Sequence, residues 1–207
     1  MNYVEKLVER FPKLSNQKQA ILDAVQVIED AYKSGNKILI AGNGGSAADS
    51  EHMSGELLKG FISKRPMDSD KAKLFDGVLK QTEIDALQEG VQAIPLTALI
   101  SGMTAFSNDV GYEMAFAQLV FSLGKAGDVF VAISTSGNSS NVLKAVSVAK
   151  TLGLKVIGLT GKDGGKLSKV SDVVIVAPAF DTYLVQEYHL PIYHAICAQV
   201  EADLFNA

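Results

Sequence analysis

His52 and Glu56 stand four residues apart, so on a helix they share one face, one turn above the other. An imidazole and a carboxylate placed in this way make either two metal ligands or an acid–base pair. A second group lies near the far end of the chain, where Gln186, Leu190 and His194 line one side of a helix over two turns. His189 falls off the His194 face and is the second choice for chemistry. The chain has 3 histidines in all, and each lies in one of two segments able to meet in space.

Two glycine- and hydroxyl-rich stretches complete the set. Ile38 to Ala41 is an apolar run that enters Gly42, Asn43, Gly44, Gly45 and Ser46 before a small-residue stretch suited to a helix. Such a strand–loop–helix turn leaves backbone N–H groups free, and the positive end of the helix dipole adds to them, so the loop is an anion cradle. It is neither a Walker loop, lacking the following Gly-Lys-Ser/Thr, nor G-x-G-x-x-G. The second stretch follows the apolar run Asp128 to Ile133 and reads Ser134, Thr135, Ser136, Gly137, Asn138, Ser139, Ser140. An N-cap needs a single hydroxyl, so this density points to a ligand with many oxygens, a phosphate above all.

The elements that must position these residues are legible from periodicity. Residues 1 to 34 form two helices broken at Pro12, the second beginning near Ser15 or Asn16 and closed by Gly35-Asn36. A strand over 37 to 41 and a helix from about 46 to 61 flank the first loop. Residues 62 to 92 read as a solvated insertion with one or two short helices. Ile94-Pro95-Leu96 is a second strand, Ser101 to Phe106 is helical, and Asn108-Asp109-Val110-Gly111 is a turn carrying a carboxylate. A helix through Met114 ends at Gly124. Strands at 128–133, 155–159 and 173–176 alternate with a helix through Val142 and with the turn Thr160 to Gly165, which leads to a short helix. The last helix contains Pro191, which either kinks it or lies close to its start. Strands alternating with helices, each strand apolar throughout, predict an α/β fold: a three-layer α/β/α sandwich with a parallel, flavodoxin-like sheet and ligands beyond the carboxyl ends of its strands.

The chain has 207 residues, 47% of them hydrophobic and 20% charged, enough for one domain with a large core. A net charge of −4 argues against a nucleic-acid platform. The lone Cys197 sits in an apolar stretch, so it reads as a buried structural thiol in a reducing compartment. No run is apolar enough to span a membrane, and the N-terminus lacks the pattern of a signal peptide. The expectation is a soluble, cytoplasmic protein.

Gly42-Asn43-Gly44-Gly45-Ser46, Ser134 to Ser139, Thr160-Gly-Lys-Asp-Gly-Gly165 and Gln186-Glu-x-His189, taken in this order, resemble the sugar isomerase (SIS) domain of phosphoheptose isomerases. The resemblance covers most of the chain outside about 62 to 92 and implies a single SIS domain over 1–207. It implies isomerisation of sedoheptulose 7-phosphate to D-glycero-D-manno-heptose 7-phosphate through an enediol, with Glu56 as base and His194 as acid. The phosphate is expected on Ser46, Ser134, Thr135, Ser136 and Ser139, and the sugar on Asn43, Gly44, Gly45, Glu56, Gln186 and the Asn108-Asp109 pair. The resemblance also implies one zinc ion per subunit, held by His52, Glu56, Gln186 and His194, and a homotetramer with sites at subunit contacts. The chain departs from the family pattern in its long 63–92 link, in Ala98-Leu99 after the second strand, and in Tyr183 three residues before the glutamine. These departures bear on which sugar is read more than on the reaction class. The alternative is a non-catalytic SIS module, either a phosphosugar-binding regulator or a protein associating with the replication initiator DnaA. Such a module would be expected to lose the carboxylate and the second histidine, which this chain keeps.

Overall fold

In the computed structural model, which describes residues 2–205, the strands of the sheet fall on short, mainly aliphatic runs. In chain order the elements are α1 Tyr3–Arg10, α2 Lys18–Lys33, β1 Ile38–Ala41, α3 Gly45–Leu58, α4 Ser69–Lys73, α5 Gln81–Ile84, β2 Ala93–Pro95, α6 Ile100–Asp109, α7 Tyr112–Leu123, β3 Val129–Ser134, α8 Ser140–Thr151, β4 Lys155–Thr160, β5 Val173–Val176 and α9 Thr182–Phe205. The five strands are parallel in the order β2-β1-β3-β4-β5. Chain order reverses between β1 and β3, where a doubly wound sheet opens a crevice beyond its carboxyl ends. The register pairs Ala41 with Ala132 and Ser134 with Thr160, so the loops after β1, β3 and β4 leave the sheet side by side.

Side chains alternate between two apolar layers. Ile38, Ile40, Val129, Val131 and Ile133 pack with residues of α1, α2, α3 and α9. Leu39, Ala41, Phe130 and Ala132 face the other way, toward α7 and α8. With helices covering both faces, every strand residue of β1 and β3 is buried, which is why these strands read as continuous apolar runs.

Several expectations are corrected. The second helix begins at Lys18 because Pro12 to Gln17 forms a 3-10 turn first. Asn108 and Asp109 belong to the last turn of α6, and the turn proper is Val110–Gly111. Helix α3 stops at Leu58 instead of near 61. Pro191 is well inside α9, nine residues after its start. The segment 62–92 does carry two short helices, but it is not simply solvated: Arg65, Ile84 and Val91 are buried. Its return path is pinned by Glu89 N–H donating to Arg65 O (2.8 Å) and Val91 N–H donating to Leu57 O (2.9 Å).

Candidate active site

The loop after β1 is built around residues that must be small. A Cβ on Gly42 would lie 2.6 Å from Ser46 Cβ, because the first turn of α3 folds back over the loop. Gly44 adopts φ +57°, a conformation that glycine reaches without strain. Ser46 is buried at the start of α3. Asn43 is held from two sides. It exchanges two amide hydrogen bonds with Asn141, each 2.9 Å, and accepts one from Tyr112 Oη at 2.5 Å. The β1 loop is thereby tied to the starts of α7 and α8.

The loop after β3 is held by the loop after β4. Gly137 has φ +64°, and a Cβ there would lie 2.1 Å from Gly164 O. Gly161 N–H donates to Thr135 O (3.1 Å), Leu167 N–H to Gly137 O (2.9 Å) and Lys166 N–H to Asn138 Oδ1 (3.1 Å). Ser134 and Ser139 pair through their hydroxyls at 2.9 Å. Ser134 is buried, whereas Thr135, Ser136 and Ser139 are partly exposed at the start of α8. Four hydroxyls therefore lie between the end of β3 and the start of α8, beside the β1 loop, an arrangement suited to a phosphate dianion.

Across from these loops, α3 and α9 run side by side in the same direction. Gly45 meets Gln186, His52 meets Tyr193 and His194, and Met53 O meets Cys197 Sγ. His52 Nε2 lies 3.2 Å from Glu56 Oε1, as their spacing predicts. The His52 and His194 rings are 4.9 Å apart, edge to face, and Phe61 covers His194 at 5.3 Å. Burial, and to a lesser extent His52, lowers the proton affinity of His194, with Glu56 opposing. Its Nε2 is buried with no partner among the described residues. Burial and His52 both favour the neutral form of the imidazole.

Tyr193 and Asp49 complete this cluster. Tyr193 Oη is 2.9 Å from His52 Nδ1 and 3.4 Å from Asp49 Oδ1. Its one proton has two takers. Given to Asp49, it leaves His52 Nδ1–H donating to the phenol and a free Nε2 lone pair facing Glu56, the form a metal ligand requires. Given to His52, it leaves Nε2–H donating to Glu56. Burial raises the Asp49 carboxyl to about 6, against the hydrogen bond from Tyr193, and also pushes the Tyr193 phenol up.

The other predicted residues take different places. His189 is wholly buried: its Nε2–H donates to Thr160 O at 3.1 Å, and burial lowers its pKa to about 4. It is a neutral core histidine. The Gln186 amide lies against Gly45, where a Cβ would be 2.2 Å from Nε2, so it sits at the first turn of α3. Asn108 and Asp109 are exposed and bond to each other at 2.9 Å, not to either loop. Cys197 is a buried thiol whose pKa is pushed up by burial, as its apolar stretch implies.

Among the described residues no three His, Cys, Asp or Glu side chains already converge on a metal-sized point. The donor chemistry nevertheless fits zinc. His52 and Glu56 hold an imidazole nitrogen and a carboxylate oxygen against each other, and the unpartnered Nε2 of His194 lies in the same cluster.

The SIS domain family model matches residues 2–95 and 90–161. Phosphoheptose isomerase of Aneurinibacillus thermoaerophilus is 40% identical over 201 residues, covering 92% of this chain and 90% of that protein. Phosphoheptose isomerase 2 of Campylobacter jejuni is 41% identical over 198 residues, covering 96% and 87%. The solved phosphoheptose isomerase of Neisseria gonorrhoeae superposes with a TM-score of 0.72 at 32% identity, over 96% of this chain and 98% of that one. The chain belongs to the phosphoheptose isomerases of the SIS domain family. Membership in a family of isomerases over nearly the whole length leaves the non-catalytic, regulatory reading unfavoured.

Within this phosphoheptose isomerase fold, sequence reasoning missed Asn141, Tyr112, Tyr193, Asp49 and Arg65. Asn141 had a usable signal, since it follows directly on the hydroxyl-rich run. Asp49 lies three residues before His52 on the same helix and was open to the same face argument. Tyr112, Tyr193 and Arg65 gave none, because their partners are 69, 141 and 136 positions away.

Proposed function

We propose that the chain interconverts sedoheptulose 7-phosphate and D-glycero-D-manno-heptose 7-phosphate. The observation that supports this most is the meeting of Glu56 and His52 on α3 with His194 on α9, beside two loops suited to a phosphate. In this reading Ser46, Ser134, Thr135, Ser136 and Ser139 hold the phosphate, and Asn43, Gly44, Gly45 and Gln186 line the path toward the reacting carbons. The exposed Asn108-Asp109 pair is assigned to the sugar through a neighbouring subunit of a homotetramer.

Glu56 takes a proton from C1 of the ketose, the C–H electron pair forms the C1=C2 bond, and the C2 carbonyl oxygen gains a proton to give the enediol. The Glu56 carboxyl then returns its proton to C2 while the O1 hydroxyl loses its own, leaving the C1 aldehyde. His194, whose burial favours the neutral imidazole, gives its N–H proton to O2 as the enediol forms and takes the O1 hydroxyl proton in its place as the aldehyde forms. Phe61 and Tyr193 pack against the imidazole at 5.3 and 5.1 Å and hold its orientation. Zinc, held by His52, Glu56 and His194 with the Gln186 amide as the fourth donor the resemblance names, would polarise the sugar oxygens. Among the described residues no helix is long and apolar enough to cross a membrane, which accords with the proposed cytoplasmic setting.

Proton NMR of the purified protein with sedoheptulose 7-phosphate, before and after chelation and with zinc restored, tests this reading. Turnover that falls on chelation and returns with zinc is the expected result. Turnover untouched by chelation removes zinc from the reaction. No turnover under any condition overturns the proposed substrate.

A further inference from the structure

Arg65 and Glu201 form an ion pair with side chains only 0% and 1% exposed, joined by Arg65 Nε–H donating to Glu201 Oε1 at 2.7 Å. A buried pair of this kind is by itself weak evidence for stability, since desolvation offsets much of its attraction. Its other partners give it a second meaning. Arg65 Nη1 donates to Leu57 O (2.7 Å) and Nη2 to Glu56 O (3.0 Å), two of the last-turn carbonyls of α3 that lack helical donors. Glu201 accepts from the N–H groups of Phe61, Ile62 and Ser63 at 2.7, 2.8 and 3.1 Å. The pair therefore holds the backbone of Glu56 and of Phe61, and the Phe61 ring lies on His194. Glu201 is seven residues beyond His194 on α9, two turns along the same face.

We propose that Arg65 and Glu201 are positioning residues for the isomerisation: together they lock the C-terminal turn of α3 and the 61–63 backbone onto α9, fixing Glu56 against His194. Neither touches the reacting carbons. The planar guanidinium serves two carbonyls and a carboxylate at once, a geometry that a lysine ammonium on a single stem cannot reproduce. A shift of about 1 Å between base and acid costs about 10²-fold in rate.

This inference rests on the proposed roles of Glu56 and His194. Its test uses Arg65→Lys and Glu201→Asp, which keep both charges and so avoid a lone buried ion, with Ile28→Ala in the α2 core as a stability control. Steady-state kinetics on sedoheptulose 7-phosphate, run well below each melting temperature, should show kcat down by about 10²-fold with KM within about twofold in the two pair variants, and an unchanged kcat in Ile28→Ala. Full kcat in a folded Arg65→Lys or Glu201→Asp, or a loss matched by Ile28→Ala, overturns the proposal. If only one pair variant folds, that one decides. A parent protein with no turnover breaks the substrate assignment instead. The crystal structures of the pair variants then decide, since Phe61 still seated on His194 overturns the positioning role and its displacement upholds it.

Discussion

The loops beyond β1, β3 and β4 are complete in themselves, whereas the seam between α3 and α9 is not. In the loops, Asn43 pairs with Asn141, Ser134 with Ser139, and Gly137 fits beneath Gly164 with no room for a methyl group. In the seam, His194 Nε2 and Asp49 Oδ2 are buried with no partner among the described residues, and His52 and Glu56 face each other. Helix α9 carries two histidines in different settings: His189 is wholly buried in the core, its Nε2 bonded to Thr160 O, whereas His194, five residues on, lies at the seam beside His52. The difference teaches that a phosphate-sized end can be preformed by backbone geometry at little cost. In the proposed function the seam is the reacting end, and its open donors and acceptors are the ones that substrate and zinc would use.

The strongest way to sharpen this contrast is to disarm the seam while sparing the loops. Glu56→Gln should lower turnover by about 10²- to 10⁴-fold, with little change in KM or melting temperature. Full activity in that variant would remove the carboxylate from the base role. The converse change, Gly137→Ala, should destabilise the protein by roughly 2–4 kcal/mol, from left-handed strain and a clash with backbone. Urea unfolding reads that loss, and a neutral result would mean that the two loops are not locked together.

His189 and Asp49 give a pH test. His189 binds its proton with a pKa of about 4 in the folded protein against an ordinary 6.5. Between those values the unfolded chain takes up a proton that the folded protein refuses. Stability should therefore fall as pH drops from 6.5 toward 4, by up to about 3 kcal/mol from this group. Asp49 works the other way: its carboxyl is raised from 3.8 to about 6, so it favours the folded state as pH falls through 6. The difference between the parent and His189→Gln isolates the histidine contribution, and parallel stability–pH curves would refute it. The mildest change is Tyr193→Phe, which removes the phenol from His52 Nδ1 and should weaken zinc binding by about 10- to 100-fold in a chelator competition. Unaltered affinity would mean that the phenol does not set the histidine's tautomer.

Sequence alone determined most of the architecture, because strands buried on both faces must be apolar throughout and glycine–hydroxyl loops punctuate them. It also placed His52 beside Glu56, a neighbour relation that helix geometry imposes within a single turn. What it could not determine was anything set by separation along the chain. Only the packing of α9 parallel to α3 brought His194 to His52 and sent Gln186 to Gly45. Only the folded chain showed that Arg65, read as part of a solvated charged stretch, is among its most buried side chains. A lysine- and arginine-rich segment looks solvated unless its partner is known, and that partner, Glu201, lies 136 residues away. Local periodicity follows from bond geometry and near-neighbour contacts, whereas an ion pair across that distance exists only once the core has closed around it.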